Sequence, residues 1–341
     1  MRPSRRALVL GLLASVAAPG SLFAQAAARA HRVAIVLNGS SETHQAYYDA
    51  FLEGMNRLGY RLGRSLLLED RWAAGRLDRL GEIIGELLSL QPDVLVVAGS
   101  QAVRAAKAAT SAVPIVMFAG DPVAQGVIES LARPGGNLTG LSIPPEALMS
   151  RILEKLHQIV PKASRVAVLA NPSNPVHPLL WKQTQATART LGVSVQRFDA
   201  SNFHQLEIGL AAIAKQRPQA LVVGADALFN SFRGYIVKFA LANRLPSGHF
   251  FREAAAEGAL MSYSSSLDEG YYRLANYVDR VLKGAQPREM PVEQLEIFEL
   301  VINVRTARAL GIALSQPVIE STNEFIDSSG QARLPYRPGW R

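Results

Sequence analysis

From residue 31 to about residue 310, two hydrophobic patterns take turns along the chain. Residues 33–37, 65–69, 93–98 and 115–118 are short apolar runs with branched side chains, as expected of parallel strands covered on both faces. Tyr47, Ala50, Phe51, Met55 and Leu58 recur at helical spacing between the first two runs, and Gly59 supplies a stop. Leu77, Leu80, Ile83, Ile84, Leu87 and Leu88 mark another helix, and an Ala-rich helix is predicted up to Ala109. A helix over 146–160, closed by Pro161, leads into a second series. Its strands at 166–170, 193–198 and 220–224 alternate with helices near 179–191, 203–215 and 229–243. A strand in GALMSY at 258–263, an amphipathic helix to Gly284, a strand over 298–304 and a short helix to Leu310 follow. Such alternation predicts an α/β protein with parallel sheets. The last elements are too few for a third unit, so they are expected to cross back and complete the first two, making a hinge of several strands.

The two series are related. HRVAIVLN at 31–38 resembles SRVAVLAN at 164–171, and QPDVLVVAGS at 91–100 resembles RPQALVVGAD at 217–226. Two matches at nearly the same offset predict duplicated lobes, in which Asn38 corresponds to Asn171 and Ser100 to Asp226 as strand-end positions of facing sheets.

The stretch 114–142 is expected to hold a buried strand, a polar loop, a helix and a Gly-rich exit. Ala119-Gly120-Asp121-Pro122 falls at the carboxyl end of that strand, where open α/β sheets place their ligands. Similar strand-end positions carry neutral or small polar residues: Asn38, Ser40, Ser100, Gln101, Asp121, Ser142, Asn171, Asn174 and Asp226. This set suits hydrogen bonding better than bond breaking. Each member could equally cap the helix that follows, and a capped helix can still offer free N–H groups to a ligand carboxylate. Asp226 would receive a ligand ammonium group. Tyr47, Trp72, Phe118, Phe229 and Tyr263 are candidate apolar walls.

Composition narrows the function. At 341 residues and 48% hydrophobic content the chain can bury two cores. Arg2, Arg5 and Arg6 before the apolar run from Ala7 to Ala18, with Ala24-Gln25-Ala26 after it, predict an export signal over residues 1–26, and Ser4-Arg5-Arg6 also fits a twin-arginine signal. No later run is long enough to span a bilayer, so the mature chain is expected not to insert in a membrane. Zero cysteines exclude disulfides, Cys-ligated metals, thiol nucleophiles and a lipid-modified N-terminal cysteine, which points to the periplasm. Removing the signal takes away three arginines and no acid, lowering the net charge from +8 to +5. No basic run interleaved with aromatics suggests nucleic acid. The common hydrolase, zinc-protease and nucleotide motifs are missing, and the six histidines lie far apart, so neither a metal nor a cofactor is expected.

Several stretches resemble a known family: RWAAGRLDRL at 71–80, GDPV at 120–123, SLARPGGNLTGLS at 130–142, RVAVLANPSNP at 165–175, GALMSY at 258–263 and PVEQLEIFELVIN at 291–303. From about residue 31 to 325 the chain resembles the periplasmic substrate-binding proteins of ABC importers, in the group with tryptophan- and tyrosine-type binding components. The resemblance implies the type I periplasmic binding protein fold, two Rossmann-like lobes joined by a three-strand hinge. The N-terminal lobe would take 31–142 and about 264–290, the C-terminal lobe 143–263 and about 291–325, with 326–341 a tail. It places the ligand among loops beginning at Asn38, Ser100, Gly120-Asp121, Ser142, Asn171 and Asp226, with Tyr263 near the hinge. Ser264 stands where many relatives carry glycine. The implied function is capture of a small molecule, amino-acid-like or another small carboxylate, by a monomer that delivers it to an ABC permease and its cytoplasmic ATPase. A sensing module for a membrane receptor and a periplasmic α/β enzyme are the alternatives.

Overall fold

The computed structural model describes residues 30–327 and 332–333. The export signal expected over 1–26 lies outside the described residues, as does most of the expected tail. Fourteen strands are present among the described residues: β1 (His31–Leu37), β2 (Leu66–Trp72), β3 (Val94–Ala98), β4 (Ile115–Gly120), β5 (Leu138–Ile143), β6 (Arg165–Ala170) and β7 (Ser194–Asp199), then β8 (Ala220–Val223), β9 (Ser247–His249), β10 (Met261–Ser265), β11 (Glu293–Gln294), β12 (Phe298–Asn303), β13 (Glu324–Ile326) and β14 (Ala332–Arg333).

They form two sheets. The first has the order β11-β5-β4-β3-β1-β2 and is parallel throughout; the second runs β14-β13-β12-β10-β9-β8-β6-β7. In the second sheet β12 is antiparallel to β10 and β14 to β13, the remaining pairs being parallel. The orders β4-β3-β1-β2 and β9-β8-β6-β7 repeat one another, as the duplicated strings require.

Side-chain alternation builds the layers. Val33, Ile35 and Leu37 of β1 enter a core shared with Val166, Val168 and Ala170 of β6, while Ala34 and Val36 face a core of the first lobe and Ala167 and Leu169 one of the second. The chain crosses between the sheets after β5, after β10 and after β11. Sheet membership therefore runs through Ser265 in the second sheet and through Gln294 in the first. The helix Leu267–Leu282 returns to the first lobe against the helix Ser41–Arg57, at a crossing close enough that a Cβ on Gly54 would lie 2.6 Å from the Tyr272 carbonyl oxygen.

Three expectations need correction. The segment after Asp121 is a series of turns, not a helix. Asp121 and Gly126 take positive φ (38° and 66°), and Lys107 Nζ binds the Gly126 and Val127 carbonyls, each at 2.9 Å. Of the Gly-rich exit, Gly135 and Gly136 do turn at positive φ (69° and 59°), but Gly140 (φ 131°) lies within strand β5, so close to β4 that a Cβ would sit 2.1 Å from the Met117 carbonyl oxygen. Finally, β13 and β14 are part of the second sheet although the sequence after Asn323 has no periodicity. Among the described residues no helix is long and apolar enough to cross a membrane.

Candidate functional site

The carboxyl ends of the parallel strands of the two sheets face each other across a cavity of about 90 Å³. On the first lobe β1 and β3 end side by side, and the residues following them interlock. Asn38 Nδ2 donates to the Ala98 carbonyl at 2.7 Å. Gly99 permits this: it sits at φ 89°, and a Cβ there would lie 2.2 Å from that nitrogen. With Nδ2 committed to a carbonyl, the amide can only be turned one way, so Oδ1 is an acceptor. Asn38 is 5% exposed, and Oδ1 is buried without a protein partner. Ser100 opens the helix Ser100–Ala109, whose N-cap Gly99 supplies no side-chain cap, and Gln125 Nε2 donates to Ser100 Oγ at 3.1 Å and to the Gly120 carbonyl.

The second lobe presents Asp226, 2% exposed, as N-cap of the helix Ala227–Ser231. Its Oδ1 accepts from Asn171 Nδ2 (3.1 Å) and Leu228 N (2.9 Å), and its Oδ2 from Asn174 Nδ2 (2.8 Å) and Gln101 Nε2 (3.0 Å). Four donors fill the four lone-pair positions of a carboxylate. The Gln101 bond crosses between the lobes.

The walls are aromatic. Tyr47 stacks on Tyr271 with ring centroids 5.2 Å apart and planes 11° apart, while Phe118 meets Tyr271 edge-on and His44 meets Tyr47 edge-on. Phe250 and Phe251 close the second-lobe side. Tyr47 also joins the lobes, since its hydroxyl donates to Glu253 Oε1 at 2.7 Å. Burial first, then the Glu253 carboxylate, raises its pKa well above that of a free phenol, so the proton stays on Tyr47. Burial, reinforced by the Arg233 charge, lowers the pKa of His44 to about 4 and keeps it neutral at neutral pH. Arg233 itself is paired with Glu257 at 2.7 Å. No Lys or Arg lines the cavity among the described residues.

Of the residues picked from sequence, Asn38, Ser100, Gln101, Gly120, Asn174 and Asp226 come together on the cavity. The other five sit outside its lining. Ser40 N-caps the helix Ser41–Arg57, exchanging a backbone bond with Thr43 Oγ1 at 2.9 Å. Asp121 accepts from Ala124 N at 3.1 Å within its own turn. Ser142 is buried inside β5, and Asn171 sits behind Asp226, with its N–H on His177 Nδ1 at 2.8 Å. Tyr263 stacks on Phe298 with Lys155 over its ring, as part of the hinge strands. Trp72 and Phe229 also leave the walls: Trp72 binds Asp70 at 2.7 Å, and Phe229 is core. Sequence reasoning misses His44, Glu253 and Tyr271, because aromatics and acids at helical spacing look like core and solvated faces, and it misses Phe250 and Phe251, which sit in the short bend between β9 and the helix Arg252–Glu257. The one signal that could have found them is the pairing of the helices at 41–57 and 267–282, which brings Tyr47 and Tyr271 to the same wall.

An aromatic-walled cavity with polar strand-end residues, set between two duplicated α/β lobes, defines a two-lobed small-molecule-binding protein. The chain belongs to the ABC transporter substrate-binding protein family, whose model matches residues 32–326. It is 24% identical over 284 residues to the tyrosine-binding protein of Clostridioides difficile (strain R20291), covering 83% of this chain and 81% of that one. A conserved domain protein of Vibrio cholerae O1 biovar El Tor superposes with a TM-score of 0.82 at 23% identity, over 87% of this chain and all of that one. An ABC domain from Streptococcus pneumoniae in complex with L-Trp gives 0.80 at 20% identity, over 86% and 100%. The fold is thus that of periplasmic binding proteins, and the family is one of substrate-binding proteins.

Proposed function

We propose that this protein is the solute-binding component of an ABC importer, exported to the periplasm by its N-terminal segment, and that it captures a small amino-acid-like molecule or another small carboxylate between its lobes. It hands the ligand to a membrane permease driven by a cytoplasmic ATPase and makes or breaks no bond itself. The observation that carries this reading is the cavity spanned where Gln101 reaches Asp226 and Tyr47 reaches Glu253 across the cleft. A ligand held there touches both lobes only when they are closed, so its binding energy shifts the population toward the closed form that a permease would recognise. Asn38, Ser100, Gln101, Gly120, Asn174 and Asp226 form the polar contacts, with Tyr47, Phe118 and Tyr271 as walls. The tyrosine and tryptophan named for the two relatives support an amino-acid-like ligand.

The test is a thermal-shift screen of the purified protein against amino acids, aromatic acids, sugars and nucleosides, with each hit recovered and analysed. A true ligand at a hundred times its Kd stabilises the native state by about 2.7 kcal/mol and comes back unchanged. Conversion of a hit would replace this reading with an enzymatic one.

A further inference from the structure

We infer, building on the ligand-capture reading above, that the cleft selects a molecule carrying a protonated amine or a comparable nitrogen donor, read by Asn38 Oδ1, and refuses molecules whose only charge is negative. Three observations lead there. Asn38 lines the cavity, its amide orientation is dictated by the Ala98 carbonyl, and no protein group donates to its buried Oδ1. A buried acceptor left unpaired is costly, so a ligand that donates to it gains what a ligand lacking the donor forfeits.

Asp226 looks like the obvious partner for an ammonium group, yet its two oxygens are already filled by Asn171, Leu228, Asn174 and Gln101. Its carboxylate still stands on the cavity wall, and among the described residues no Lys or Arg of that wall faces it. His44 is neutral at neutral pH, Arg233 is held by Glu257, and no Lys or Arg lines the space. A second acceptor, Glu253 Oε2, is buried without a partner behind Tyr47. The field in the cavity therefore favours a positive group and repels a lone anion. A carboxylate on the same molecule is still accommodated, because the uncapped start of the helix Ser100–Ala109 lies beside Asn38 and offers backbone N–H groups. A zwitterion enters with its charges balanced, whereas a simple acid does not.

Matched triads separate these cases by isothermal titration: the amino acid, the amine lacking the carboxylate and the acid lacking the amine, each with isobutyl, benzyl and indolylmethyl side chains. On the side chain that fits, the amino acid and the amine should bind, and the acid should be weaker by about 10- to 100-fold. Asn38→Leu should erase most of that preference. Thermal melts of the free variant separate a binding effect from a folding defect, and the triads on the unaltered protein stand without the variant. An acid that binds as tightly as its amino acid would overturn the inference while leaving ligand capture intact, as would a folded Asn38→Leu protein with an undiminished preference. Failure of all nine compounds to bind would overturn the amino-acid-like reading and this inference with it.

Discussion

The two lobes use one strand-end position in opposite ways. Asn38 follows β1 and Asn171 follows β6, equivalent strands of the repeated sheets. In the second lobe every polar atom of the asparagine is used: Nδ2 on Asp226, Oδ1 taking the Ser173 N–H at 2.9 Å, and the backbone N–H on His177. In the first lobe Nδ2 stops at the Ala98 carbonyl and Oδ1 is left open. The difference traces to the facing residue, a carboxylate at Asp226 and a hydroxyl at Ser100. A carboxylate draws in the donors of its own lobe, while a serine makes a single bond with Gln125. One polar edge is thus a finished scaffold, and the other is left with an open acceptor.

Removing the scaffold should have the largest effect. Asp226→Ala strips a cap and leaves the amides of Asn171, Asn174 and Gln101 facing nothing, which should cost about 4 kcal/mol of stability by urea unfolding. Ser100→Ala at the equivalent position should cost under about 1 kcal/mol. Equal losses at the two sites would break the asymmetry.

Acid should come next. Burial lowers the pKa of His44 to about 4 and that of His249, in the second lobe, to about 3, and burial also lowers that of His177. His177 Nδ1 accepts the Asn171 N–H, so its proton sits on Nε2, toward the Ala225 carbonyl at 3.1 Å. In each case the folded state prefers the neutral ring. The stability these histidines contribute is complete above the unfolded value near 6.5 and is lost as the pH falls toward the folded values. At pH 5.5 His44 and His249 together should cost about 3 kcal/mol relative to pH 7.5. Asp268 and Glu299, raised mainly by burial, act in the opposite sense only as the pH enters the carboxylate range. Unfolding curves at the two pH values check this, and a flat profile would contradict it. His249→Asn should remove about a third to a half of the slope and locate that share in the second lobe.

The repeated strings were enough to predict the sheets and to align Asn38 with Asn171, because a strand buried on both faces writes itself as an unbroken apolar run. Strand β5 was hidden by Gly140, whose role is close approach to Met117 rather than pattern. The helix expected after Asp121 failed because Lys107, a residue on another element, claims the carbonyls. At the cavity, sheet topology gathers Asn38, Ser100, Gln101, Gly120, Asn174 and Asp226, while Asp121 and Ser142, also at strand ends, stay in their own turn and strand. Contacts between helices were not legible: Tyr47 and Glu253 are 206 positions apart, and only the packing of two lobes makes them partners.

Gly99 sharpens the contrast further. Gly99→Ala places a methyl group against Asn38 Nδ2 at a positive φ, so the asparagine must leave the Ala98 carbonyl or the loop must shift. The expected loss is about 2 kcal/mol, together with weakened ligand binding. Ala225, the aligned residue of the second lobe, already carries a methyl group, and Ala225→Gly should leave the affinity within about twofold. Paired melting and titration curves would test both halves.

A smaller loss than these, and of a different kind, is expected at the lobe junction; only the two control substitutions, Ser100→Ala and Ala225→Gly, should do less. Tyr47→Phe keeps the ring that stacks on Tyr271 but deletes the hydroxyl that reaches Glu253. In an open molecule the Glu253 carboxylate can turn to water, whereas in the closed one it would lose its partner while Oε2 is already unpaired. The loss therefore falls on closure and not on folding. Affinity for the bound molecule should drop by about tenfold, equivalent to about 1.4 kcal/mol. Release should quicken while the association rate holds, because the bond forms after encounter. Stopped-flow traces would separate the two rates. A slower association with unchanged release would mean that Tyr47 shapes the open cleft and that the Tyr47–Glu253 bond does not hold the lobes together.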